Sequence, residues 1–218
     1  MIGLVGLLAA LALGSRPLVA QEKNEVGLVI GATLTPSQTL SPGANLIRPG
    51  GTVLANRSIT FDSSLALGAE YDRGFVLKKR IAVYGGVDFL ASPQDVKLSQ
   101  LTQNVPGQYA YVFLTPHIRV KFHPSGAFAP WLSFGGGYAR FRESAPTAAP
   151  AFKPGTNTGT FVFGGGVDTR PVIHVLKIPI GFRLEVRDFY SGLPNYNVKV
   201  TGSLQNNVAF TGGLLIRF

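Results

Sequence analysis

From Glu25 onward apolar residues recur with a period of two rather than 3.6, in eight segments separated by turn-rich stretches. The segments cover 25–34, 63–72, 80–90, 109–122, 130–141, 160–169, 178–189 and 206–218. Most have the length that a tilted strand needs to cross a bilayer. Connections after the first, third, fifth and seventh segments are long, as in "RESAPTAAPAFKPGTNTG". Those after the second, fourth and sixth are short, as in "RGFVLKK" and "HPSGA". Antiparallel up-and-down order puts all the long connections at one end. The pattern predicts an all-β fold over 25–218, an eight-stranded antiparallel up-and-down transmembrane β-barrel.

Alternation alone leaves open which face meets water, because a lipocalin-like soluble barrel alternates too, with its apolar face inward. In "WLSFGGGY" Leu132, Phe134, Gly136 and Tyr138 share one face, and Trp131, Ser133, Gly135 and Gly137 the other. In "FVFGGGVD" Phe161, Phe163, Gly165 and Val167 oppose Val162, Gly164, Gly166 and Asp168. The second face is small rather than solubilising, which suits a crowded lumen, so the apolar face is assigned to lipid. Tyr71, Phe89, Tyr109, Tyr138, Phe141, Phe189 and Phe218 fall near segment ends, where interfacial aromatic girdles are expected.

Composition supports that assignment. Only 14% of residues are charged and 45% are apolar, against about a quarter charged in ordinary soluble domains. Twenty-seven glycines without a period of three point to a turn-rich β fold rather than a fibrous chain. The absence of cysteine excludes disulfide and thiolate chemistry. Residues 1–20 read as a signal peptide: an apolar run over 2–13, breakers at Gly14 and Pro17, and cleavage near Ala20/Gln21. A basic residue before the run is missing, which points to a start further upstream. The competing reading is a buried core helix.

The chain resembles the small outer-membrane β-barrel proteins of Gram-negative bacteria, such as the membrane domain of OmpA and its OmpX-like and OmpW-like relatives. The resemblance rests on the long-short loop pattern, the strand "PWLSFGGGYARF" and the end "GGLLIRF". It implies location in the cell outer membrane, contact with outer-membrane lipid and lipopolysaccharide, and a monomer. It also implies insertion by the barrel-assembly machinery, with Phe218 as the terminal assembly signal. No soluble wall-binding domain follows, so a wall-anchoring role is not expected.

Parity places Glu70, Asp88, His117, Arg119, Lys121, Asp168, Arg183, Glu185, Arg187 and Arg217 in the lumen as a paired network, since a buried charge without a partner is costly. Strand direction puts Asp88 and Arg187 toward the long-loop end and Glu70, Arg119, Asp168 and Arg217 toward the other, as two neighbouring clusters. A small porin-like channel for ions or apolar solutes is the alternative to a filled, non-conducting barrel. A lipid-modifying enzyme is a further one.

Catalysis needs a nucleophile with a histidine and an acid in reach. His123 and His174 fall at short turns and His117 faces the lumen, so no catalytic residue is expected. Ser125 in "HPSG" reads as a turn. No metal-ligand spacing and no phosphate-loop signature appears, so neither metal nor cofactor is expected. The net charge of +9 is dispersed, which argues against a nucleic-acid partner. Arg48, Arg57, Arg142 and Lys153 in the long loops are candidates for lipopolysaccharide phosphates. The expected function is non-enzymatic: envelope structure, or surface interaction through the loops.

Overall fold

The structure, a computed structural model, describes residues 23–41, 58–98, 108–143, 155–176, 178–196 and 200–218. The expected signal peptide, together with Arg48, Arg57 and Lys153, lies outside them. The main strands are β1 (Asn24–Leu34), β2 (Ser64–Leu77), β3 (Ile81–Leu98), β4 (Gln108–Phe122), β5 (Phe128–Glu143), β6 (Gly155–Thr169), β7 (Ile178–Gly192) and β8 (Val208–Arg217).

Each strand pairs antiparallel with its neighbour in sequence, and β8 pairs back onto β1, which closes the ring. Closure leaves no edge strand and satisfies the backbone internally, as a hydrocarbon surrounding demands. The last rung comes from the C-terminal residue: Asn24 N–H donates to Phe218 O and Phe218 N–H to Asn24 O, both at 2.9 Å.

β7 shows why the sequence alternates. Phe182, Leu184 and Val186 point outward and stay exposed, while Arg183, Glu185 and Arg187 are buried. The same inversion holds around the ring, with Leu132 62%, Phe161 70% and Leu184 63% exposed on the outside while Arg119 and Arg183 are 0% exposed inside. In water this distribution would be strongly unfavourable, because apolar surface is hydrated and charge is desolvated. In lipid both faces match their surroundings.

Several strands are longer than expected, and β2 and β3 run furthest past their expected C-terminal ends. β2 continues from Arg73 to Leu77, pairing with the first residues of β3 across a bulge at Gly74/Val76. The bulge shifts the alternation by one residue, and the period-two signal is lost there. β3 continues beyond Leu90 through polar residues that pair with the top of β4, from Ala91↔Val112 to Asp95↔Gln108. There the wall has risen above the apolar belt, and no outward apolar face is required.

The connections keep their two-ended order. β2–β3, β4–β5 and β6–β7 join at a turn end, where a short strand Ile173–Val175 folds back on the start of β7. At the loop end, Ser58–Phe61 pairs with the top of β3 and Gln38–Thr39 pairs with Ser58–Ile59. Leu40 bridges to Val200 and Thr201 N–H donates to Thr39 O at 2.9 Å, so the segments after β1 and before β8 meet over the barrel mouth.

Candidate functional site

The lumen is layered. Nearest the turn end, Lys121 Nζ lies 2.7 Å from Glu25 Oε1 and 2.6 Å from Asp168 Oδ2. Arg217 Nε donates to Glu25 Oε1 at 3.1 Å. One step up, Arg183 grips Asp168 with Nε at 2.8 Å and Nη2 at 2.9 Å, and also bonds Glu70. Arg119 bonds Asp72 and donates to Glu70 at 2.9 Å. Higher again, Arg187 bonds Glu70, donates to Glu185 at 2.7 Å and pairs with Asp88 at 2.5 Å. Thr211 caps Glu185 Oε1 at 2.6 Å.

All ten lumen residues singled out from the sequence are buried inside the barrel. They do not form two clusters. Glu70 alone joins Arg119, Arg183 and Arg187, and Glu70 sits directly opposite Asp88 in the β2–β3 register. Distance along each strand misled the expectation, because barrel stagger brings positions of different strands to one height. The result is a single network.

Two of its acids, Glu25 and Asp72, went unnamed in the sequence reading although parity held the signal: Asp72 lies two residues from Glu70, and Glu25 shares the face of Gly27 and Val29. They change the charge balance. Six acids, Glu25, Glu70, Asp72, Asp88, Asp168 and Glu185, face Arg119, Lys121, Arg183, Arg187, Arg217 and His117. His117 stands between two of those acids, Nε2 at 2.8 Å from Asp72 and Nδ1 at 3.0 Å from Asp88, the second contact poorly aligned for a hydrogen bond.

Trp131 fills the centre. Its indole N–H donates to Asp168 Oδ1 at 3.0 Å, and the guanidinium of Arg119 lies 4.3 Å from the ring centroid, with those of Arg183 and Arg187 at 5.3 and 5.7 Å. Such stacking supports cations that have given up water. Gly166 makes the room: a Cβ there would stand 2.6 Å from the Trp131 ring and 2.3 Å from Leu184 O. Gly166→Val is therefore expected to destabilise the barrel by about 1–3 kcal/mol, read as a lower urea midpoint.

Above the charges the lumen turns aromatic. Phe113 stacks on Phe189 at 4.5 Å, Tyr111 meets Phe141 edge-on at 4.7 Å, and Tyr109 meets Tyr196 edge-on at 5.7 Å. Tyr109, Phe141 and Phe189 thus lie inside the barrel and not in an interfacial girdle. The physical reason is that they share the buried parity of their strands, which position near a segment end does not reveal. Tyr71, Phe89, Tyr138 and Phe218 are at least partly exposed.

A polar strip lies beside the rings. Thr33 and Ser92 hydroxyls are 2.6 Å apart, and Asn207 accepts from Thr35 at 3.1 Å and donates to Phe189 O at 3.1 Å. Tyr196, from the segment after β7, is 1% exposed, and its hydroxyl donates to Gln205 Oε1 at 2.8 Å. Burial, reinforced by the neighbouring phenols, pushes its pKa above the ordinary tyrosine range. Leu40, Ile59, Phe61, Leu193 and Val200 pack onto this cluster as a lid.

Of the other residues singled out from the sequence, His123 and His174 are exposed at the turn end. Arg142 is exposed on β5 near the loop end, two residues after Arg140. Among the described residues no cluster of three metal-ligating side chains occurs.

A closed eight-stranded ring with an apolar outside and a charged inside is a transmembrane β-barrel. No protein-family model and no curated protein matches the chain. Solved structures do. Neisserial surface protein A superposes with a TM-score of 0.52 at 11% identity, over 89% of this chain and 97% of that one. The outer membrane protein OprG from Pseudomonas aeruginosa gives 0.52 at 13% identity, over 91% and 97%. At this identity the likeness is one of fold, and the chain has the fold of the small outer-membrane barrels.

Proposed function

We propose that this chain is a monomeric, non-enzymatic outer-membrane barrel that serves envelope structure or surface contact through the connections at its loop end. The observation that carries this reading is the occupancy of the lumen. Charges paired around Trp131, then stacked aromatics, then the lid succeed one another from turn end to loop end, and this leaves the long connections as the chemically adaptable part. The turn end then faces the periplasm and the loop end the exterior, the usual sense for such barrels.

Arg140 and Arg142, exposed on the outer wall near the loop end, are the candidates of this reading for contact with lipopolysaccharide phosphates. Phe218, which completes the last β1–β8 rung, fits a role as the signal read during barrel assembly.

The membrane-extracted protein is expected to migrate faster on a gel when unheated than when boiled, because a closed barrel resists detergent unfolding. A single mobility, with the protein recovered in the soluble periplasmic fraction, would overturn the reading. Turnover of labelled lipid A by the folded protein would overturn its non-enzymatic part. A small channel is the competing function, and the filled lumen counts against it.

A further inference from the structure

Cations are unevenly distributed over the outside of the barrel. Lys23, Arg73, Lys78, Lys79 and Arg80 are all exposed and belong to three adjacent strands at the turn end. Lys23 immediately precedes β1 and is tied to β2 by the Gly74 N–H to Lys23 O bond of 2.7 Å. Lys78, Lys79 and Arg80 form the β2–β3 turn. The described acids near this end, Glu25, Asp72 and Asp168, are buried and bound within the lumen network. At the loop end, by contrast, Asp62, Asp95 and Asp188 are at least partly exposed.

Arg73 is the unusual member. It shares the outward parity of Tyr71 and lies in register between Asn24 of β1 and Gly85 of β3, so it emerges sideways from the wall rather than downward from the turn. Immediately after it, the bulge at Gly74/Val76 inserts Phe75, which is 71% exposed. The Phe75 ring covers Gly85, where a Cβ would come within 2.4 Å of it. Gly85 thus has no side chain to hold Phe75 off the wall. Tyr71 flanks Arg73 on the other side, its hydroxyl donating to Asn24 Oδ1 at 3.0 Å.

We infer that this patch binds the headgroup phosphate of an anionic phospholipid in the leaflet around the turn end, with Arg73 as the principal contact. The inference rests on the reading of the outer wall as lipid-facing. An arginine at the lower edge of an apolar wall needs an anion at that depth, and a lipid phosphate is the anion a membrane supplies there. Tyr71 above Arg73 and Phe75 beside it, between Arg73 and the Lys78–Arg80 turn, give the lipid an aromatic bed next to the charges, the pairing of apolar and basic groups that marks interfacial lipid contacts. A zwitterionic headgroup brings its own cation against the Lys78–Arg80 turn, which gives selectivity for net negative lipid. Peptidoglycan carboxylates are less suited, since Arg73 and Phe75 face sideways into the leaflet.

The test is native mass spectrometry of the full chain released from vesicles of equimolar phosphatidylcholine and phosphatidylglycerol. Phosphatidylglycerol is expected to be retained at least about tenfold over phosphatidylcholine. R73Q/K78Q/K79Q/R80Q should abolish that preference, while R170Q, an exposed cation at the turn end on the far side of the ring, leaves it. Arg73→Gln alone should reduce it about threefold, and serves if the fourfold variant fails to fold. A folded, inserted wild type that retains both lipids equally refutes the site but not the lipid-facing wall. A chain that never gives a vesicle-inserted, heat-modifiable form refutes the wall itself. Displacement of phosphatidylglycerol by soluble peptidoglycan fragments would assign the patch to the cell wall and overturn the lipid assignment.

Discussion

Replacing Arg183 with methionine is expected to lower the unfolding free energy of the barrel by about 3–5 kcal/mol, the range for breaking a buried ion pair from one side. Arg183 is fully buried, grips Asp168 with two nitrogens, bonds Glu70, reaches Glu25 at 3.3 Å and stands 3.6 Å from Asp72. Methionine keeps much of the bulk but leaves these carboxylates short of a cation in a space already balanced. Adding Asp168→Asn should recover part of the loss, because it removes one of the stranded acids, and the non-additivity of the double variant measures the coupling. Trp131 is the only tryptophan and lies 5.3 Å from the Arg183 guanidinium, so its fluorescence in a urea titration reports the transition. A loss below about 1 kcal/mol would mean that water screens the charges as at a protein surface, and the filled lumen would be wrong.

The fold was legible because lipid imposes a stricter pattern than water does. A strand with one face in hydrocarbon and one in a narrow lumen shows its parity in nearly every residue, as "FRLEVRDF" does from Phe182 to Phe189. The individual lumen charges were legible for the same reason. Their connectivity was not, because the height of Glu70 relative to Arg187 depends on barrel stagger, which no single strand encodes. The aromatic ceiling was hidden by an ambiguity of chemistry. A tyrosine or phenylalanine near a strand end suits a membrane interface and a barrel interior equally, and only parity along the strand separates Tyr138, on the outward face of Leu132 and Phe134, from Phe141, on the inward face of Trp131 and Ser133. Phe75 escaped for a third reason, since a bulge breaks the alternation that the reading relied on.

In planar bilayers the folded protein is expected to show no steady conductance, and neither Arg187→Ala nor Glu185→Ala alone should create one. The charge layer and the aromatic layer stand in series, so removing a group from one leaves the other in the way. Phe113 and Phe189 are each at most 1% exposed and stacked at 4.5 Å across the barrel, with Tyr111 and Phe141 packed beside them. Opening a path therefore takes the combination Phe113→Ala, Phe189→Ala and Arg187→Ala. This variant should show discrete current steps at a stability cost of about 3–5 kcal/mol for each lost ring. Its unheated gel mobility must show that the barrel is still closed. The reverse pattern decides for a channel: steady openings in the unaltered protein, abolished by Arg187→Ala or Glu185→Ala, would mean that ions move along the network from Glu25 to Glu185. The aromatic residues and the lid formed by Leu40, Ile59 and Val200 would then have to part during conduction, and cross-linking the segments after β1 and before β8 through cysteines placed at Leu40 and Val200 should silence those openings.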